Sequence, residues 1–250
     1  MLDVHPPHHA ASTWRDFFIH IATIVLGLLI AIALEQTVEY IHHRHQVAET
    51  REALEKEKTQ NIRRFGLQTK WFRMKTPDLR TNLAILRYLR EHPHASQQSW
   101  PGKFNWNVSA VPYADAAWKT AQQDGVIEHM PGTEVQLFAE IYTRLSTIRE
   151  NEIAERYAME KARGFLLRDP DPSHLTPADL DTAIADMTNV LVLHLRTAGE
   201  QERLNRRFPD FAPAPTTDEI HDVLGIHISG DEAAIVKREN QELKDTDTIP

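Results

Sequence analysis

The amino-acid sequence predicts an all-α protein: an N-terminal transmembrane helix that continues into a stalk, followed by a helical bundle of three or four long helices. Three observations carry this expectation. Residues Phe17 to Leu34 form an 18-residue run with no formally charged side chain. Beyond it, apolar residues recur at steps of three and four, the helical period, and no stretch alternates apolar with polar as a half-buried strand does. The prolines fall between these periodic stretches, where helix boundaries belong.

Whole-chain averages hide this organisation. The 250 residues are 41% hydrophobic and 26% charged, with mean hydropathy -0.46, the profile of an ordinary soluble chain. Net charge is -8 with a pI of about 5.9, which argues against a generally basic nucleic-acid binder. The chain has no cysteine, which excludes disulfides, a cysteine nucleophile and thiolate metal centres. Charge separates along the chain. Residues 35–75 hold nine basic and six acidic side chains, whereas 76–250 hold 18 basic and 28 acidic ones.

After a short tail (1–16), the apolar run at 17–34 is about 27 Å long as a helix, close to the thickness of a bilayer core. Trp14 and Tyr40 bracket it, as aromatics do at membrane interfaces. Two other readings stand beside the span. Ala31-Ile32-Ala33 matches a signal-peptidase pattern, so the segment also reads as a leader cleaved after Ala33, although its leading region carries a single Arg. It also reads as a buried core helix. Basic residues flank the run almost equally, Arg15 with the α-amino group on one side and Arg44 with Arg51 on the other. The short tail and the missing cysteine favour an inside N-terminus and a periplasmic C-terminal body. Thr23, Gly27 and Ala31 recur every four residues, a small-residue ridge that suits homodimerisation within the membrane.

From Glu35 to Phe65 the chain lacks Pro and Gly and has few apolar residues, which predicts a polar helical stalk over 35–75. The bundle is expected over 76–208. A new helix should begin at Thr76-Pro77, with the stripe Leu79, Leu83, Leu86, Leu89, and stop at Pro93. A long loop at 93–112 carries Trp100, Phe104 and Trp106, which read either as a surface for a partner or as a cover for one end of the bundle. A short helix runs through Ala117, Trp118 and Ala121 to Gly125 as a C-terminal cap. Thr133 and Gln136 form a capping-box pattern opening a helix towards Leu167. Thr176-Pro177 opens the clearest stripe, Leu180, Ile184, Met187, Leu191, His194 and Ala198. Residues 209–250 are expected to be a linker (209–216), a short helix ending at Gly225, a last helix near 232–243 capped by Asp231, and a tail.

The search for chemistry returns little. Seven of the 14 histidines lie in the first 45 residues, but the proposed span separates the group His5, His8, His9 from His42, His43, His45, and neither has structural-zinc spacing. Glu39-x-x-His42 and Asp218-x-x-His221 are an incomplete match to a di-iron bundle, which needs two further glutamates. No nucleotide, zinc-protease or nucleophile-elbow motif occurs, so no catalytic, cofactor or metal residues are assigned. His194 reads as a hydrogen-bonded core histidine. Glu150, Glu152 and Glu155 read as a solvated helix face.

The A-W-x-x-A-x-x-x-G motif from Ala117 to Gly125, with the N-terminal span running into a Glu/Arg-rich helix and Ile141-Tyr142 further on, resembles a group of uncharacterised bacterial single-pass membrane proteins known as a domain of unknown function. The likeness covers about residues 15–165. It implies a bacterial envelope location and no activity. The residues themselves favour a membrane-anchored, non-enzymatic module for protein interaction or envelope scaffolding. A ligand-sensing bundle acting through a partner, and an enzyme with an unrecognised site, are the alternatives. Lipid bilayer, a second copy and an unknown protein are the expected partners, and nucleic acid is not.

Overall fold

Helix α1 spans Trp14–Glu91, 78 residues and about 117 Å, in the computed structural model, which describes residues 14–107 and 112–224. Then come α2 (Ala116–Gln123), α3 (Gly132–Ala162), the single turn α4 (Phe165–Arg168), α5 (Pro177–Arg207) and α6 (Thr217–Leu224). Short 3-10 turns lie at Gln97–Ser99, Val126–His129 and Pro172–His174. The described residues contain no strand, so the chain is all-α. The expected last helix near 232–243 lies outside the described residues.

The apolar N-terminal part of α1 is the one described helical segment long and apolar enough to cross a membrane, and it is fully exposed. Among the described residues it has no packing partner, which is the opposite of what the buried-core-helix reading requires. Contact with the body starts at His43, and burial starts at Val47, about 20 Å along the helix beyond Leu34. From Leu54 to Leu89 buried residues follow one another at steps of three and four, so most of the expected stalk is in fact core. Sequence pattern understated this because six of those buried positions are polar: Glu57, Asn61, Gln68, Thr69, Thr76 and Asn82.

A second correction concerns Pro77. No new helix begins there, because α1 runs straight through it. Proline has no N–H for the carbonyl of Arg73 and costs a helix interior roughly 3 kcal/mol. Burial of Phe72, Thr76, Leu79 and Leu83 on both sides of the proline holds the helix in register against that cost.

Three apolar layers fix the topology. Near the candidate span, Val47 and Leu54 of α1 meet Trp118, Val126 and the start of α3 at Phe138 and Tyr142. In the middle, Phe65 meets Ile141, Leu145 and Ile148 of α3 and Leu204 of α5. At the far end, Leu79 to Leu89 meet Met159 and Ala162 of α3 and Leu180 to Val190 of α5. Helix α3 therefore runs parallel to α1 and α5 returns antiparallel. The chain first comes back along α1 through two buried asparagines. Asn82 holds the backbone of Asn105 by donating to its carbonyl (2.8 Å) and accepting from its N–H (2.9 Å). Asn61, 21 residues nearer the span, holds Ala114 the same way at 2.8 Å for both bonds.

Local signals were partly right. The Thr176 hydroxyl caps α5 by accepting from the Asp179 N–H, with Pro177 in the first turn. Gly125 takes the left-handed φ of +70° after α2. The Thr133–Gln136 box is not used. Pro131 precedes α3, its carbonyl accepts from the N–H of Glu134 and of Val135, and Thr133 falls inside the first turn. Helix α3 stops at Ala162 instead of Leu167, and Phe165 turns back onto the far apolar layer. The expected linker at 209–216 is packed: Phe211 is fully buried edge-on to Phe65 at 5.6 Å, with Asn205 donating to its carbonyl.

Candidate functional site

Between the middle and far apolar layers lies a stratum of buried polar side chains from all three long helices. Helix α1 supplies Gln68, Thr69, Thr76 and the largely covered Lys75. Helix α3 supplies Asn151, Glu152 and Glu155, and α5 supplies His194, Thr197 and Gln201. Each group sits on its helix's core stripe, so helical periodicity alone turns them towards one another.

His194 is the hub. One ring nitrogen, Nδ1, lies 3.0 Å from Glu155 Oε1, and Nε2 lies 3.0 Å from Thr76 Oγ1. The Thr76 hydroxyl donates to the carbonyl of Phe72, so towards His194 it accepts, and both ring nitrogens face oxygen acceptors. The ring also stacks on Phe72, with centroids 4.3 Å apart and planes 12° apart. Glu155 is gripped a second time by Lys75 Nζ at 2.6 Å. Burial pushes the Glu155 carboxyl up, but the bonds from His194 and Lys75 outweigh it and hold the group below the usual carboxylate range.

Glu152 is the opposite case. It lies one turn earlier on α3, is 8% exposed, and its Oε1 has no hydrogen-bond partner. Burial first, and the charge of Glu155 second, push its carboxyl up to about 8, against smaller pulls from Lys75, Arg156 and Gln68. Glu152 is therefore mostly neutral at pH 7. Tyr113, buried on the neighbouring layer, has its phenol raised by burial and then by Glu152. Its hydroxyl faces the Gln201 carboxamide without a well-formed hydrogen bond. The expectation that Glu150, Glu152 and Glu155 form a solvated face is thus corrected. Only Glu150 is exposed. The other two sit on the buried stripe of α3, one turn apart, facing α1 and α5.

A groove of about 520 Å³ opens onto this stratum between α1 and α6, lined by Phe72, Arg73, Thr76, Pro77, Arg80, Glu219 and Asp222. Phe72 and Thr76 form both its floor and the wall against His194. Arg73 is locked to Glu219 by two hydrogen bonds of 2.7 and 3.2 Å, whereas Arg80 meets Asp222 at 3.6 Å, beyond hydrogen-bond reach.

The residues singled out by sequence go to other places. Ala117, Trp118, Ala121, Gly125 and Tyr142 build the span-proximal end. Trp118 stacks on Tyr142 at 5.4 Å with planes 5° apart, and Ala121 is buried. The buried carboxylate of Glu57 ties them to α1, accepting from the Tyr142 hydroxyl (2.7 Å) and the Ala117 N–H (3.0 Å). Trp100, Phe104 and Trp106 pack against the far apolar layer, Phe104 stacking on Trp106 and both meeting Phe165 edge-on. They cover the end of the bundle and are not an open aromatic surface. Thr23, Gly27 and Ala31 lie on the exposed apolar segment, where a side chain at Gly27 would meet nothing within 4 Å. His43 stacks on His129 at 3.8 Å, and the described residues hold no group of three or more metal-ligating side chains. His5, His8 and His9 lie outside the described residues.

Sequence reasoning missed Glu57, Asn61, Lys75, Thr76, Glu152 and Glu155. Counting polar residues that fall on the three-four step of α1 and α3 would have found them. No protein-family model, curated protein or solved structure matches the chain.

Proposed function

We propose that the protein is a single-pass, membrane-anchored, non-enzymatic helical module that displays an acidic bundle for protein interaction or scaffolding in a bacterial envelope. Residues 17–34 sit in the inner membrane and the C-terminal body is periplasmic. One observation carries this reading: an exposed apolar segment of bilayer length and the core of the body belong to one unbroken helix. A soluble protein gains nothing from an exposed, uncharged and mostly apolar run of 18 residues, whereas in lipid it needs no protein partner. The small-residue face at Thr23, Gly27 and Ala31 is unobstructed and fits a second copy. The anchor is tested by alkaline carbonate extraction, with retention in the membrane pellet expected. The orientation is tested by C-terminal alkaline phosphatase and fluorescent-protein fusions, with an active phosphatase and a dark fluorophore expected. Release on extraction refutes the anchor, and the reverse fusion pattern refutes the periplasmic body.

A second reading, a ligand-sensing bundle working through a partner, is favoured by the groove. Its floor residues Phe72 and Thr76 touch His194, the hub that joins α1, α3 and α5. A ligand there would bear on a stratum where polar contacts tie the three long helices together.

A further inference from the structure

The groove beside Pro77 has a definite chemistry. Its α1 wall carries two arginines seven residues apart, on one face of the helix, and its α6 wall carries two carboxylates three residues apart. The inner pair is closed, because Arg73 spends its guanidinium on both oxygens of Glu219 and on the carbonyl of Ala214. The outer pair is open. Arg80 and Asp222 stand 3.6 Å apart, their side chains 52% and 74% exposed, with no hydrogen bond between them. They form an exposed ion pair that no hydrogen bond fixes, so a ligand can exchange for either partner at low cost. Between the two arginines lies Pro77, whose missing N–H leaves the Arg73 carbonyl without its helical donor. The remaining lining, Phe72 and Pro77, is apolar.

The groove thus offers a cation at Arg80, an anion at Asp222 and an apolar floor, in a volume that suits a small organic molecule. A simple anion would satisfy Arg80 and leave Asp222 beside it repelling the ligand, and a simple cation would do the reverse. Lipid headgroups are out of reach, since Arg73 lies 39 residues, about 58 Å of helix, beyond Leu34. We propose that the groove binds a small zwitterion with an apolar body, a free α-amino acid with a hydrophobic side chain. Its carboxylate inserts against Arg80, its ammonium against Asp222, and its side chain lies on Phe72 and Pro77. This assignment rests on the ligand-sensing reading and names the ligand class.

The test is calorimetric titration of the full chain in detergent with L-phenylalanine, N-acetyl-L-phenylalanine, L-phenylalaninamide and glycine. L-Phenylalanine is expected to bind saturably. The derivatives that lose one charge should bind about 10- to 100-fold more weakly, the equivalent of one charge-assisted hydrogen bond. Glycine, which keeps both charges and lacks the body, should also bind more weakly. Arg80→Gln and Asp222→Asn should each weaken L-phenylalanine binding to a similar degree at unchanged melting temperature, since both side chains are exposed. Equal or tighter binding of a singly charged derivative, lost in Arg80→Gln or Asp222→Asn, overturns the zwitterion and leaves ligand sensing standing. L-Phenylalanine binding indifferent to both substitutions overturns the groove as its site. Absence of saturable binding by all four probes overturns both the ligand class and the sensing reading.

Discussion

Replacing Glu152 with Gln should stabilise the protein at neutral and alkaline pH and flatten its pH dependence. The carboxyl is raised from 4.5 to about 8 by burial and by Glu155. Between those two values the unfolded chain releases a proton that the folded chain retains. Stability therefore falls as pH rises through this window, by about 1.4 kcal/mol per unit. Over the full window the penalty amounts to about 5 kcal/mol, complete above pH 8 and absent below 4.5. Gln keeps the size and a polar head but has no proton to lose. Urea unfolding of the full chain in detergent, followed by helical circular dichroism at pH 5, 6, 7, 8 and 9, measures the difference between the two proteins. It should be smallest at pH 5, about 1 kcal/mol, grow through pH 8 and then level off. Glu155 does not interfere, because its lowered carboxyl costs stability only as pH falls through a value below 4.5. A difference that stays flat from pH 5 to 8 would refute the reasoning, since it would mean that Glu152 titrates alike in both states.

Three other outcomes are expected. His194→Leu should cost about 3–5 kcal/mol in chemical denaturation, because it removes one of the two cationic or donor partners of a buried carboxylate, and a His194→Leu/Glu155→Leu double variant should recover part of that loss. Trp118→Ala should cost about 3–5 kcal/mol by emptying the span-proximal layer and unstacking Tyr142, and a loss below about 1 kcal/mol would mean that this end is not packed as described. Gly27→Leu should lower self-association in a membrane two-hybrid reporter if the small-residue ridge is the contact, and an unchanged signal discards it.

Helical order and its punctuation were legible because they are local. Thr176 and Pro177 open α5, Gly125 closes α2, and the stripe Leu180, Met187, His194 and Ala198 is buried as its spacing required. What escaped, His194 apart, were the buried polar groups that share a stripe with apolar residues. Glu152 and Glu155 look like a solvated face until α1 and α5 lie over them. Asn61 and Asn82 look like surface residues until a returning chain needs its backbone held. Pro77 looks like a start signal until packing on both sides of it outweighs one missing hydrogen bond. Phe211 sits in a proline-rich stretch that reads as a linker and becomes core because Phe65 offers it a face.

The sequence by itself determined that this chain is all-α and that one apolar segment near its N-terminus is long enough for a bilayer, since helix period and length are properties of neighbours along the chain. Only the tertiary structure decided that the same helix continues unbroken into the core, that its polar stripe meets those of α3 and α5 in one buried stratum, and that a charged groove opens onto it. Those facts depend on which side chains from distant segments share a low-dielectric interior, and that is a matter of packing, which linear spacing does not encode.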